Sequence, residues 1–316
     1  MSYISDQLLH TLEEFKCDDI KGKHYRGKVR DNFYLDDEKM LMVTSDRVSA
    51  FDHVLGTIPF KGQILTEIAN FWFEKTADIV PNHIISNPDP QVLVAKKADT
   101  LPVEVIVREY ITGSLWREYS SGINGQYGFM LDDNLKKNQK FDTPILTPST
   151  KAEYGKHDEP ISRDEIVNGL VDEKIYSKAE EYALKLFARG QEWANSRGLI
   201  LVDTKYEFGM YNGELIVIDE IHTPDSSRYW KKEGYQEKFD NNQNQDMLDK
   251  ENIREWLINK NFSGEGTPPN LNDEIRILLS EKYIELFKVL IGKDFQPDSG
   301  NVSSRIINNL KLNDII

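Results

Sequence analysis

Residues 199–225, LILVDTKYEFGMYNGELIVIDEIHTPD, hold two apolar runs joined at Asn212-Gly213, with acids inside both. Aliphatic and β-branched residues on either side of an Asn-Gly pair predict a β-hairpin. Alternation puts Asp203, Lys205 and Glu207 on one face of its first strand. The position of Asp219 depends on the turn. A two-residue turn would pair Glu207 with Ile218 and leave Asp219 on the opposite face. A three-residue loop over residues 211–213, with Gly213 left-handed, shifts the pairing and brings Asp219 beside Glu207. The three-residue loop is expected here. Three acids and a lysine on so apolar a ribbon are costly to bury unpaired. A hard divalent cation carrying a polyphosphate would offset that cost. A salt-bridged solvent face is the competing reading of the same residues.

The chain has 316 residues, 39% hydrophobic and 29% charged, which suits a soluble globular protein of about two domains. Its single cysteine, Cys17, allows no internal disulfide, which points to a reducing cytoplasm. No apolar run reaches membrane-spanning length, and the acidic, amphipathic start is unlike a leader peptide. A formal net charge of −14 argues against nucleic-acid or anionic-membrane partners while leaving room for a local anion pocket. The oligomeric state is left open, a monomer being compatible with all of this.

Working outward, residues 199–225 follow a helix expected over about 174–197, ended by Gly198. Ser162 and Glu165 form a capping box ahead of it. Further upstream, residues 91–98 and 102–111 read as two strands with a turn at Asp99-Thr100. Glu104 interrupts their apolar pattern, and Arg108 ends a run of valines and needs an acid or phosphate partner. Thr112-Gly113-Ser114 opens a helix whose amides, with Arg108, would suit an anion; an ordinary cap and a structural ion pair suit the same residues. Near the start, Ser5 is expected to cap a short helix. Residues 24–35 and 38–46 are strand-like, and the first run contains Arg26-Gly27-Lys28-Val29-Arg30-Asp31. One glycine lets the backbone approach a ligand and the flanking cations can meet phosphate; an exposed basic hairpin is the plainer reading. Residues 45–52, SDRVSAFD, suit ligand contact or turn chemistry equally. Residues 62–76 form a helix with an apolar stripe, and 122–150 should be irregular. Downstream, Arg228 lies among the hydroxyls of residues 222–230 and could clamp an anion. Residues 239–249 read as a surface link, followed by helices at about 249–259 and 272–291 and a loosely docked tail.

Taken together, LPVEVIVREYITGS (101–114) and ILVDTKYEFG (200–209) make the chain resemble the phosphoribosylaminoimidazole-succinocarboxamide synthases, or SAICAR synthetases. RGKVRDNF, VTSDRVSAFD, GQILTEIANFWF, LTPSTKAE and DEIHTPDSSRYW fit the same family in the same order, and the close likeness runs from residue 25 to 230. The C-terminal region resembles the longer members less specifically.

The resemblance implies a two-lobed α+β fold, distantly similar to ATP-grasp and kinase arrangements, with residues 1–110 as an N-terminal antiparallel-sheet lobe over ATP. Residues 111–316 would form the C-terminal lobe with the metal hairpin and substrate site. It implies a cytoplasmic, ATP-dependent ligase that joins L-aspartate to the carboxylate of carboxyaminoimidazole ribonucleotide (CAIR), through an acyl phosphate, to give SAICAR, ADP and phosphate. Glu207 and Asp219 would hold Mg²⁺. Gly27, Lys28, Val29 and Arg30 would cover the ATP phosphates, and Glu104 would meet the adenine amino group. Asp203 would orient substrate and Lys205 would steady the transferring group, an arrangement analogous to the Asp-x-Lys of kinases. Arg108, Ser114, Asp225, Ser227 and Arg228 would surround CAIR, and aspartate is sought near Ser49, Ser149 and Lys151. A small-molecule kinase of similar fold is the alternative, and a non-catalytic nucleotide-binding scaffold a third.

Overall fold

The computed structural model describes residues 2–51, 53–151 and 158–316; Asp52, Ala152 and Glu153 of the motifs above lie outside the described residues. The chain begins with α1 (Ser2–Gln7), β1 (Lys23–Arg26), β2 (Arg30–Tyr34), β3 (Lys39–Thr44), β4 (Arg47–Ala50) and β5 (His53–Thr57). Helix α2 (Lys61–Lys75) leads into β6 (Ile84–Asp89), β7 (Val92–Lys96), β8 (Asp99–Thr100) and β9 (Val103–Tyr110). Next come α3 (Gly113–Ser120), β10 (Lys140–Leu146), β11 (Ser149–Thr150), α4 (Arg163–Gly169) and α5 (Glu173–Ser196). The rest comprises β12 (Leu199–Tyr211), β13 (Glu214–Ile218), β14 (Ser227–Lys231), α6 (Tyr235–Asp240), α7 (Glu251–Asn259), α8 (Asp273–Ile291) and α9 (Val302–Leu312).

Two antiparallel sheets and a β4–β5 ribbon result. The first sheet has the order β1-β2-β3-β7-β6. The second runs β10-β9-β12-β13, with β11 added on β9 and β8 and β14 on β12. The long strand β12 is its spine: its first half is held between β9 and β14, and its second half pairs with β13. One face of this sheet is apolar. Val103, Val105 and Val107 of β9 and Tyr206 and Phe208 of β12 pack with Ile64, Ile68 and Trp72 of α2 and Ala179, Ala183 and Leu186 of α5. The 3.6-residue repeat of α5 supplies that stripe. Asp172 caps the helix by accepting from the Lys174 and Ile175 amides, and Gly198 (φ 72°) turns the chain out of it as expected. The capping box of Ser162 and Glu165 forms as read.

Several expectations are corrected. Residues 91–98 and 102–111 do not make a hairpin at Asp99-Thr100. The chain leaves the first sheet there: β7 pairs with β3, whereas β8 and β9 pair with β12. Strand β9, expected in the first lobe, therefore belongs to the second sheet. Ser5 lies inside α1 rather than at its start. Within residues 122–150, β10 pairs with β9. The link 239–249 ends buried, because the Leu248 amide donates to the Tyr229 carbonyl (3.1 Å) and Asp249 accepts from the Tyr229 amide (2.7 Å). The tail docks firmly. Val302, Ile306 and Leu310 of α9 join Phe33, Leu41, Val43 and Val92 in the core behind the first sheet, and Arg305 reaches Asp89 (3.1 Å).

Candidate active site

The hairpin turn has two residues, not three. Glu207 pairs with Ile218 and Tyr211 with Glu214, and Asn212 (φ 51°) and Gly213 (φ 82°) both take positive φ. That is the turn whose twist matches the flanking strands. Asp219 reaches the Glu207 face by another route. It follows the end of β13 with φ 67°, a left-handed residue that swings its carboxylate back across the ribbon. Its Oδ2 lies 3.6 Å from Lys205 Nζ, and Arg30 binds its other oxygen.

Lys205 is the hub of a half-buried charge cluster. It donates to Glu104 Oε1 (3.1 Å) and to Glu207, while Lys151 also donates to Glu207. Arg30 pairs with Asp219 and with Glu220 (3.3 Å). Burial disfavours the charge on Lys205, yet Glu104, Glu207 and Asp219 together hold its pKa well above the ordinary lysine value. Burial likewise opposes ionisation of Glu207, but Lys205 and Lys151 keep it below the usual carboxylate range.

Two residues back on β12, Asp203 sits between two arginines because the register makes it so. Arg108 of β9 is its cross-strand partner on one side and Arg228 of β14 on the other. Asp203 Oδ2 accepts from Arg108 (3.0 Å) and Arg228 (2.5 Å). Arg108 also donates to Thr147 (2.8 Å) and Ser114 (3.3 Å), and Arg228 to Glu251 (3.2 Å). Gly113 (φ 59°) makes the room: a Cβ there would overlap the Arg228 guanidinium. Thr112 does not cap α3; its hydroxyl donates to Asn138 instead (2.9 Å).

These side chains line a chain of adjoining clefts. The first, about 380 Å³, is walled by Arg108, Ser114, Asp203, Ser227, Arg228 and Arg254. The second, about 340 Å³, is walled by Gly27, Lys28, Val29, Arg30, Ser49, Lys151, Glu207 and Asp219. Glu104, Asp158, Lys205, Asp225 and Lys250 line both. A third, about 270 Å³, continues between the two sheets past Tyr25, Tyr34, Met40, Met42, Lys97, Ala98 and Ile218, and shares Glu207 and Asp219 with the second.

A family model described as SAICAR synthetase matches residues 23–270. The chain belongs to the SAICAR synthetase family. A phosphoribosylaminoimidazole-succinocarboxamide synthase from Bacteroides fragilis is 49% identical over 291 residues, covering 90% of this chain and 93% of that one. A SAICAR synthase from Saccharomyces cerevisiae, solved with SAICAR, superposes with a TM-score of 0.79 at 34% identity, covering 90% of this chain and all of that one. A SAICAR synthetase solved with ADP superposes with a TM-score of 0.66 at 25% identity, covering 87% of this chain. As a SAICAR synthetase the chain is a carbon–nitrogen ligase of purine biosynthesis that uses ATP to join L-aspartate to CAIR, and the kinase alternative is set aside.

The residues expected to carry that activity in this SAICAR synthetase all fall on the first two clefts. Glu104 lines both of them. It is tied to Lys205 and accepts from Ser149 (3.3 Å) on the wall between those two clefts, and it does not line the third. Sequence reasoning missed Arg47, Tyr127, Lys250 and Arg254. Arg47 is fully buried and donates to the carbonyls of Gly27 and Lys28 (both 3.0 Å) and to Asp31 (3.1 and 3.2 Å), so it fixes the basic loop from behind. The SDR run was legible as a turn, but nothing in it said that the arginine points inward. Lys250 and Arg254 stand four apart at the start of α7 and so share a face, a signal hidden by the polar run before them.

Among the described residues no group of three or more His, Cys, Asp or Glu is arranged for a metal ion. Mg²⁺ with a nucleotide needs fewer protein ligands, one or two carboxylates beside phosphate oxygens and water. Glu207 and Asp219 meet that requirement, since both turn their oxygens to the same Lys205 ammonium.

Proposed function

We propose that the ligation proceeds through an acyl phosphate of CAIR formed where the first two clefts meet. The support is the spacing on β12: Asp203 lies in the arginine-lined cleft and Lys205, two residues on and on the same face, lies in both. CAIR enters the first cleft with its phosphate and ring substituents met by Arg108, Arg228, Arg254 and Ser114, and Ser227 and Asp225 complete the wall. Asp203 already orients both arginines, and it holds the ribotide's polar edge once they engage the ligand. The triphosphate lies along Gly27–Arg30 in the second cleft, and the adenine takes the third, between Met40 and Met42 of the first sheet and the hinge at Lys97-Ala98. That placement replaces Glu104 as the adenine partner and gives it the task of holding Lys205.

A carboxylate resists amines at neutral pH because oxide is a poor leaving group. Transfer of the γ-phosphoryl to a CAIR carboxylate oxygen releases ADP and makes phosphate the leaving group. The aspartate amine then bonds to the acyl carbon, the carbon–oxygen bond to phosphate breaks, and the nitrogen gives up a proton. Phosphoryl transfer asks the protein for alignment and charge neutralisation rather than a nucleophile. Lys205, kept cationic by its three carboxylates, faces the oxygens that gain charge. Bound Mg²⁺ at Glu207 and Asp219 would neutralise the phosphates and bring them into line. The first lobe, on this reading, ends where the chain leaves the first sheet after Lys97. The lone cysteine fits a cytoplasmic enzyme.

Oxygen tracing tests the mechanism. With ¹⁸O in the CAIR carboxylate, one labelled oxygen is expected in each phosphate released. Unlabelled phosphate from fully labelled CAIR would eliminate the acyl phosphate.

A further inference from the structure

We propose that Lys250 is the docking cation for a carboxylate of the amino-acid substrate, seated where the first and second clefts meet. The inference rests on the ligase reading above. If the acyl group forms at that junction, the amine must reach it there, and the carboxylates of the same small molecule must be bound within its own length.

Among the described residues, those lining both clefts include two cations, Lys205 and Lys250. Their surroundings differ. Lys205 is shared by Glu104, Glu207 and Asp219. Lys250 shares one carboxylate, Asp225, with a second ammonium. Lys61, fully buried on α2, takes the close contact with Asp225 Oδ2 (2.8 Å), and Lys250 is left at 3.4 Å from the same oxygen. The other Asp225 oxygen accepts from the Tyr283 hydroxyl of α8 (2.8 Å). The Lys250 ammonium also donates to Ser49 Oγ, again at 3.4 Å. Two ammonium groups facing one carboxylate leave this corner with an excess of positive charge, and a partly exposed cation held by long contacts gains from an incoming anion that can reach it. The arginines of the first cleft are differently committed: Arg108 and Arg228 to Asp203, Arg254 to Glu251 (2.7 Å). Ser49, on β4, would supply a hydroxyl beside the same carboxylate.

The other charged groups acting on Lys250 are Glu220 beyond β13 and Arg254 on its own helix. Burial, opposed by Asp225 and assisted by Lys61 and Arg254, lowers Lys250 to about 8. Asp225 stays ionised and Tyr283 neutral well beyond that range, the first through its two lysines and the second through burial beside Asp225.

The test compares Lys250→Met and Lys250→Arg with the unaltered enzyme, varying aspartate, CAIR and ATP separately. In Lys250→Met the KM for aspartate is expected to rise at least about tenfold, with those for ATP and CAIR changed less than about twofold, and Lys250→Arg should recover most of the loss. An unchanged aspartate KM, or equal rises for all three substrates, overturns the proposal. Succinate, which keeps both carboxylates and lacks the amine, provides a readout on the unaltered enzyme should the Met variant fail to fold. Its inhibition constant against aspartate is expected to climb as pH passes about 8 and Lys250 loses its proton; a constant value from pH 7 to 9.5 overturns the proposal. An unaltered enzyme that consumes ATP and CAIR steadily without aspartate would instead refute the ligase reading itself, before any variant is made.

Discussion

Glu207 accepts from two ammonium groups while almost wholly buried, so its charge is as much a property of Lys205 and Lys151 as of itself. Glu207→Gln keeps the shape and removes the charge. Because Lys205 retains Glu104 and Asp219 as partners, the variant should fold. We predict a fall in kcat of about 10²-fold or more, comparable to losing one preorganised electrostatic contact at a reacting centre, and steady-state assay at saturating Mg²⁺ checks it. Turnover within threefold of the unaltered enzyme would remove Glu207 from the phosphate site. Residue types were the most legible layer of this site. Asp203, Lys205, Glu207, Arg108 and Arg228 announce themselves as charges inside apolar strands, where they are too costly to be casual. Lys61 and Arg47 do not, because a cation in a polar-looking stretch carries no sign that it will be buried. Their burial is set by partners outside their own stretches, Asp225 far along the chain for Lys61 and Asp31 on the earlier strand β2 for Arg47.

The hairpin of β12 and β13 shows what the chain reveals about elements. Its existence and its Asn212-Gly213 centre follow from local chemistry. Its register does not follow, because Glu207 and Asp219 come together through the left-handed conformation of Asp219 itself and not through a longer turn. An aspartate at positive φ leaves no mark in a sequence. The turn makes its own prediction. At Gly213 an added Cβ would meet nothing within 4 Å, so only the backbone at φ 82° objects. Gly213→Ala should therefore cost about 1 kcal/mol of stability, measured by urea denaturation, with the three Michaelis constants unchanged. A stability loss too small to measure would mean that the left-handed turn is not maintained in solution. The change of sheet at residues 98–99 was illegible for a related reason. Two adjacent apolar strands look like a hairpin unless the partner of each is known, and those partners, β3 and β12, lie on opposite sides in sequence.

Across the whole molecule the C-terminal helix α9 closes the back of the first sheet. Its apolar residues complete that core, while Arg305 spans to the fully buried Asp89 and to Gln91 (2.7 Å). Breaking a buried ion pair from one side strands the other charge. Arg305→Met should therefore lower stability by about 3 kcal/mol, read from denaturant midpoints, although it touches no substrate. An unchanged midpoint would show that Asn309 and the Gln91 amide alone satisfy Asp89. The sequence underrates this tail because its apolar spacing is short and isolated, and only the sheet it covers gives it a purpose. Strand β12 carries the longest reach of the fold. Positions 203, 205 and 207 are successive rungs on one side of a pleated ribbon, each about 7 Å from the next. Such a ribbon is a ruler that neither stretches nor slackens. The separation between the arginine-bound end of one substrate and the phosphoryl donor of the other is thus graduated in fixed backbone steps, and a ribotide one bond longer or shorter would present the wrong atom at the mark.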